Sequence, residues 1–351
     1  MLFATNFNSL QMLMLILKKI IAGLCFIPLI TSAQIAGTAL QSKQIILQSG
    51  KKFSLQIPKG YGIAVAAEIE HRLRFLAKSP DGRLFATDMY NRGDNNSGRI
   101  LIFENWNSKL RRFDKITPYL TKLRNTNQVA FYTTGNQHYI YIAQTGTIKR
   151  YKYFFGDLKP ADTGTVIARY PDYGLNYKYG GWHLTRSLCF NNNKLYVSIG
   201  SSCNACIEKE SQRACVIEMN PDGSGAKIYA RGLRNSVALK WVNNKFWVTS
   251  MGRDQLGPDK PEDLMHTIVQ NGFYGWPYYY QYNKKIYFDA AFKDSLRPKW
   301  VVKPAVAATG FKAHTAPLGF DYFKNFTDPL LNNSFLVALH GSTTVARQKR
   351  Q

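Results

Sequence analysis

An all-β chain built from β-propeller blades is what three features of this sequence predict: a strand-forming composition, tight polar turns and a long-period repeat of hairpins. Tyr 21, Phe 21 and Trp 6 bring the aromatic fraction to 14%, and aromatic residues favour pleated strands. With 351 residues, 45% of them apolar, the chain is neither disordered, collagenous nor a small disulfide-stapled module. Only 19% of residues are charged, so the +24 formal charge reflects few acids (22) against 46 Lys and Arg.

The repeat is carried by five short strands: Leu84–Asp88 (LFATD), Tyr139–Ala143 (YIYIA), Leu195–Ile199 (LYVSI), Phe246–Ser250 (FWVTS) and Phe335–Leu339 (FLVAL). They start 55, 56, 51 and 89 residues apart. In four copies an apolar strand and a polar turn come first. These are Leu73–Asp88 around Ser79-Pro80-Asp81-Gly82, Gln128–Ala143 around Gly135-Asn136, Ser187–Ile199 around Asn191–Asn193, and Ser236–Ser250 around Asn243-Asn244. Gly and Asn tolerate positive φ, which tight hairpins require. A period near 50 made of hairpins with little helix is the mark of a propeller. The strands are apolar on both faces, as blades packed between two neighbours must be. A sandwich would show shorter spacing. The 89-residue interval contains Gly252–Pro277 and a Lys/Tyr-rich stretch, 278–299, and reads as one blade carrying an insertion. The tail 340–351 is polar and basic, so five repeats are visible and the ring is either five-bladed or has its last blade incomplete or missing.

Residues 1–33 read as an export signal. Lys18 and Lys19 precede the apolar run Ile20–Ile30, and Thr31-Ser32-Ala33 supplies small residues before Gln34. The run is about half a membrane span and Pro28 interrupts it, so no stable span is expected in the mature chain, 34–351. Cys25 lacks the preceding small residue that lipidation uses. Export to the periplasm or medium favours disulfides, and Cys203-Asn-Ala-Cys206 reads as a local one. Zinc-knuckle spacing is the alternative, but no second pair follows. Cys189, inside an apolar strand, reads as a buried thiol. The basic excess reads as general surface charge or suits an anionic envelope polymer or anionic cofactor. It does not suit nucleic acid, because bases cluster only at 109–112 and 347–350.

Propeller chemistry sits on loops at one end of the central channel. His183 enters the third repeat and is a candidate general base. Arg234 enters the fourth at the equivalent place and offers a planar donor fork for a carboxylate, beside Asn235. The loop Gly252–Asp263 (GRDQLGPDKPED) offers carbonyls and carboxylates for Ca²⁺ without EF-hand spacing.

A set of motifs runs in order through the chain. They are His183-Leu-Thr-Arg186, Leu195-Tyr-Val-Ser-Ile-Gly-Ser-Ser-Cys-Asn204 with Cys206, Asn220-Pro-Asp-Gly-Ser-Gly225, Gly232-Leu-Arg-Asn235, Gly252-Arg-Asp254 and Tyr274-Gly-Trp-Pro277. Ala316-Pro-Leu-Gly319 and Ala338-Leu-His-Gly-Ser342 follow. Over roughly residues 55–342 this resembles the pyrroloquinoline quinone (PQQ)-dependent glucose/sorbosone dehydrogenase family, its sorbosone dehydrogenase-like branch in particular. The resemblance implies an exported six-bladed propeller with PQQ and Ca²⁺ on its axis. It implies that His183 takes the hydroxyl proton of a sugar, polyol or aldehyde substrate while hydride passes to the quinone. Arg234, Asn235, Arg186 and Lys312 would contact the cofactor, with His314 near the same place. The carbonyls of Gly257 and Pro258 would hold its Ca²⁺, and Asp263 with Tyr274 a second one. Electrons would leave to an external quinone or small redox protein.

The sequence departs from the family at Thr343-Thr344-Val345, where Trp-Asn-Arg is usual, at Met265, where Asn is frequent, and in having no sixth Pro-Asp-Gly repeat. Those departures keep open a catalytically inactive or truncated envelope propeller that binds glycan or protein. A Ca²⁺-dependent hydrolase or lactonase is the third reading.

Overall fold

Asn-Asn and Gly-containing turns set the hairpins of the computed structural model, which describes residues 39–91, 93–174 and 181–341. The expected export segment, 1–33, and the tail from Thr343 onward lie outside the described residues. Asn192 and Asn193 take φ 47° and 56°, and Asn243 and Asn244 take 49° and 59°, the left-handed pair a two-residue hairpin turn needs. Everything described lies within one compact unit, Ala39–Gln351. Among the described residues there is no α-helix, only strands and one 3₁₀ turn, Asp294–Leu296. No helix among them is long and apolar enough to cross a membrane.

An amino-terminal hairpin pairs β1 (Leu40–Ile46) with β2 (Lys52–Pro58). Blade 1 follows as β3 (Leu73–Lys78), β4 (Leu84–Asp88), β5 (Gly98–Asn107) and β6 (Arg112–Leu123). Blade 2 is β7 (Gln128–Thr134), β8 (Gln137–Ala143), β9 (Thr147–Tyr153) and β10 (Thr165–Arg169). Blade 3 is β11 (Arg186–Asn191), β12 (Lys194–Ile199), β13 (Cys215–Met219) and β14 (Lys227–Arg231). Blade 4 opens with β15 (Leu239–Val242), β16 (Lys245–Ser250) and β17 (Asp263–Ile268).

The long interval is then resolved. The short β18 (Gly272–Phe273) runs parallel to β14 and extends blade 3. A hairpin of β19 (Tyr279–Tyr282) and β20 (Lys285–Phe288) follows. Only then does β21 (Thr309–Phe311) pair with β17 as the fourth strand of blade 4. The insertion expected from the spacing therefore falls between the third and fourth strands of blade 4. The last hairpin pairs β22 (Pro317–Phe323) with β23 (Ser334–Leu339). Each of the five repeat strands is the second strand of its hairpin. The described residues thus form four complete blades, the third extended to five strands by β18, and three two-stranded sheets, β1–β2, β19–β20 and β22–β23.

Alternation along the middle strands builds the core. On β8, Ile140 and Ile142 face blade 1 and, with Tyr153 of β9, join its Phe85, Ile100 and Ile102. Tyr141 and Ala143 face blade 3, meeting Leu195, Val197, Ile217 and Met219. On β12 and β13, Tyr196 and Val216 turn the other way, toward Phe246, Val248 and Ile268 of blade 4. A strand of period 2 that is apolar at every position can therefore serve two interfaces at once.

Successive first strands adjoin one another, β3 with β7, β7 with β11 and β11 with β15, so they line the axis. Side chains stitch them together. Asn127 accepts from Arg74 (Nε, 3.3 Å) and donates to the Arg186 carbonyl (2.8 Å). Gln128 bonds both the N–H and the C=O of Leu188, at 2.8 and 3.0 Å.

Candidate functional site

Strand alternation decides which loops meet. In an antiparallel four-stranded blade the start of strand one, the end of strand two, the start of strand three and the end of strand four share one end. His183 precedes β11, Ser201 and Asn204 follow β12, Arg234 and Asn235 follow β14, and 251–254 follow β16. Asp263 opens β17, and Lys312 and His314 follow β21. All of these therefore gather at one end of the propeller.

His183 is half-buried and takes φ 46°. Its Nδ1 lies 3.1 Å from the Ser201 carbonyl and 2.8 Å from Ser201 Oγ. Ser201 Oγ in turn donates to the Cys203 carbonyl at 2.7 Å. That hydroxyl proton is thus occupied, and both Ser201 oxygens accept. Nδ1 must carry the imidazole proton, leaving Nε2 as the bare nitrogen. Burial pushes the His183 pKa well below its usual 6.5, and the charges of Arg234, Arg213 and Arg186 push it the same way. The ring is neutral at neutral pH, the state a general base needs. Gly200 allows this packing: a Cβ there would lie 2.4 Å from the His183 Cβ and 2.9 Å from Asn235 Oδ1.

Arg234 meets His183 across Ser201, whose N–H donates to the Arg234 carbonyl at 2.7 Å. Its buried guanidinium donates from Nε to the Asn204 carbonyl (2.8 Å) and from Nη1 to the Gly252 carbonyl (2.9 Å). Nη2 reaches Asn204 Oδ1 at 2.8 Å and Asp254 Oδ2 at 3.1 Å. The donor fork is thus filled by the protein itself, and what Arg234 presents to the site is charge. Asn235 donates to Met251 Sδ at 3.3 Å. Arg186 is fully buried, donating to the carbonyls of His183 (3.1 Å) and Pro171 (3.0 Å), while its Nε finds no acceptor. Burial and the nearby Arg213 pull its pKa down to about 9.

The residues read as metal ligands are spread out. The Gly257 carbonyl lies 2.9 Å from His314 Nε2, and Pro258 is exposed. His314 Nδ1 is 3.8 Å from Asp254 Oδ1, so carbonyl, imidazole and carboxylate form one cluster. Asp263 is buried at the start of β17, accepting from Gly252 N–H (2.7 Å) and Ala316 N–H (2.8 Å). Burial raises its pKa against those bonds. The Tyr274 hydroxyl instead accepts from Val269 N–H at 2.8 Å, past the other end of β17. Those two side chains are therefore a strand length apart, roughly 17 Å. Lys312 is exposed on the loop after β21.

Sequence reasoning assigned no role to Ser201 or Asn204, although both sit inside a motif it singled out. Asn204 is the hub of the site. Its carbonyl also accepts from Trp276 Nε1 (3.2 Å), its Oδ1 accepts from Asp254 N–H (2.8 Å), and its Nδ2 donates to the Asp254 carbonyl (3.1 Å). Cys203 and Cys206 are joined in a disulfide, closing the loop that carries Asn204. Cys215 is the fully buried free thiol, and Cys189, expected to be buried, is half-buried at the face toward blade 4. Arg253 also escaped notice: it pairs with the buried Asp289 at 2.8 Å and pins the blade 4 insertion beside the site.

No family model and no curated protein sequence matches the chain at significance. Solved structures do share its fold. A calcium structure of a Trichoderma reesei protein of Carbohydrate-Active Enzymes family AA12 is 16% identical, covering 82% of this chain and 80% of that one, with TM-score 0.61. An iodide structure from the same organism and family is 17% identical over 77% of each chain, with TM-score 0.57. A glucose dehydrogenase is 14% identical, covering 76% of this chain and 80% of that one, with TM-score 0.53.

Proposed function

We propose that this chain is an exported propeller oxidoreductase of the PQQ-dependent sugar dehydrogenase type, six-bladed as that family is, acting on a sugar or related polyol or aldehyde. The observation that carries this reading is the neutral His183 imidazole facing the site beside a buried guanidinium, at the end where the blade loops converge. The donor set suits an anionic ring. Three arginines act on His183, and the buried Nε of Arg186 lacks an acceptor. The carbonyl of Gly257 and the carboxylate of Asp254 are oxygen donors of the kind Ca²⁺ takes, grouped around His314. When bound, PQQ supplies the hydride acceptor and Ca²⁺ a Lewis acid.

The chain's own residues do the rest. His183 Nε2 accepts the substrate hydroxyl proton while Nδ1 stays bonded to Ser201, and positive charge from Arg234 and Arg186 favours the anionic ring over water. Asn235, packed against Gly200 beside His183, orients the reacting group. The insertion pinned by Arg253–Asp289 brings Tyr279 and Tyr280 toward the site, where aromatic faces suit sugar rings.

Purified protein loaded with PQQ and Ca²⁺ is expected to reduce a dye in the presence of an aldose. His183→Ala should lower kcat by at least about 10²-fold while cofactor binding persists. Failure to bind PQQ at micromolar concentration overturns the reading. The filled fork of Arg234 favours a second one, a propeller that binds glycan without turnover, which glycan binding in the absence of dye reduction would support.

A further inference from the structure

We propose that the disulfide-closed loop Cys203–Cys206 is the positioning element of the site, holding the base His183 through Ser201 and the guanidinium of Arg234 through Asn204. The role of the two held side chains rests on the function proposed above. The loop's grip on them rests on the hydrogen bonds alone.

Four residues carry both halves of the site. The Cys203 carbonyl takes the Ser201 hydroxyl proton, which turns Ser201 Oγ into an acceptor for His183 Nδ1. One residue on, the Asn204 carbonyl and Oδ1 together take two of the Arg234 donors. The same Asn204 accepts the Asp254 N–H and the Trp276 indole N–H, so the β16–β17 loop and the insertion converge on it. Closing the loop covalently restricts the backbone of residues 203–206 and hence the directions of these carbonyls. A four-residue loop contributes little to global stability, because loop-closure entropy is small at that length. Its effect is local, on two functional side chains. The loop is anchored outside as well: Ser202 donates to Glu208 from both its N–H (2.8 Å) and its hydroxyl (2.6 Å).

The groups that face His183 are Arg186 at the start of β11, Arg213 before β13 and Arg234 after β14. Only Arg234 is held by the disulfide loop. Releasing it lets the guanidinium move away from the imidazole, and the imidazole then becomes easier to protonate.

The test is NMR of the full-length protein labelled with ¹⁵N-histidine, a readout that needs neither cofactor nor sugar. In the oxidised protein His183 is expected to carry its neutral proton on Nδ1 and to titrate below the ordinary histidine range. A water-soluble phosphine cleaves the disulfide: two electrons enter the S–S bond, two protons from solvent give two thiols, and the phosphine leaves as its oxide with oxygen from water. His183 should then titrate higher by about one pH unit and lose its single tautomer. Asn204→Ala should raise the titration with the disulfide intact, and this covers the case in which Cys203→Ser/Cys206→Ser fails to fold. Cys189→Ser should leave it unchanged. An identical His183 tautomer and titration in the reduced protein and in Asn204→Ala overturns the inference, even where dye reduction is present. A shifted His183 without any dye reduction overturns only the enzymatic reading.

Discussion

The tripeptide Pro-Asp-Gly closes two hairpins in this protein, and the two copies serve the fold in different ways. Pro80-Asp81-Gly82 joins β3 to β4, and Pro221-Asp222-Gly223 joins β13 to β14. Locally they match. Gly82 and Gly223 take φ 86° and 90°, and each donates its N–H at 2.9 Å to the carbonyl three residues back, Ser79 or Asn220. Beyond the turn they differ. Asp81 is a side-chain staple: it accepts from Tyr153 OH (2.6 Å), Gly156 N–H (2.9 Å) and Arg83 Nε (2.9 Å), with Ser79 Oγ also bonded, and so ties blade 1 to blade 2. Asp222 is exposed and bonds only within its own turn, to Ser224. There the backbone makes the staple. The Pro221 carbonyl accepts from Tyr141 OH (2.7 Å) and Arg150 Nη1 (3.3 Å) of blade 2. Turn chemistry is thus a local code, whereas the use of a turn is set by what the neighbouring blade presents to it.

The largest expected effect falls on the glycines. A Cβ on Gly223 would lie 2.1 Å from the Ile167 carbonyl oxygen of blade 2, while one on Gly82 would meet nothing closer than Lys78 Cε at 3.9 Å. Gly223→Ala should cost about 2–4 kcal/mol, backbone strain plus a clash with immovable backbone, against about 1 kcal/mol for Gly82→Ala. Equal costs in urea unfolding would break the contrast.

Next come the tyrosines that reach each turn. Tyr153→Phe removes a donor to Asp81 and the acceptor of Arg83 Nη2, whereas Tyr141→Phe removes one bond to a backbone carbonyl. We expect about 1–3 kcal/mol for the first and about 1 kcal/mol for the second, read as shifted denaturant midpoints with unchanged slope.

The smallest effect is a matter of pH. Burial alone would raise the Asp81 pKa, but hydrogen bonds from Ser79, Tyr153 and Gly156 and the charge of Arg83 lower it from 3.8 to about 2. A carboxylate depressed in the folded state stabilises fully above its unfolded pKa, and that stability is lost as pH falls from about 4 through about 2. Asp81→Asn should flatten this acid limb of the melting temperature. Bonds from Ser224 also hold the Asp222 carboxyl below its ordinary value, but that group is fully exposed, so Asp222→Asn should flatten the limb less than Asp81→Asn does.

The blade repeat was legible because its signal is local. Leu84–Asp88, Tyr139–Ala143, Leu195–Ile199 and Phe246–Ser250 all became strands with apolar residues on both faces, since adjacent blades bury both sides. The fifth repeat kept its pairing and not its burial: Leu336 and Leu339 of β23 are 55% and 49% exposed. The site was legible only in part. His183 and Arg234 stood out by residue type and equivalent placement. Ser201 and Asn204 did not, because a serine and an asparagine acquire their roles only from the partners that the fold supplies.

Strand identity, turn type and hairpin period were determined by the sequence alone, because they depend on residue chemistry within a few positions of the chain. Tertiary structure decided which nitrogen of His183 is bare, where the fork of Arg234 is spent and why two identical turns hold blade 2 by different atoms. Those outcomes depend on groups brought together from distant blades, and no local pattern encodes the distances between them.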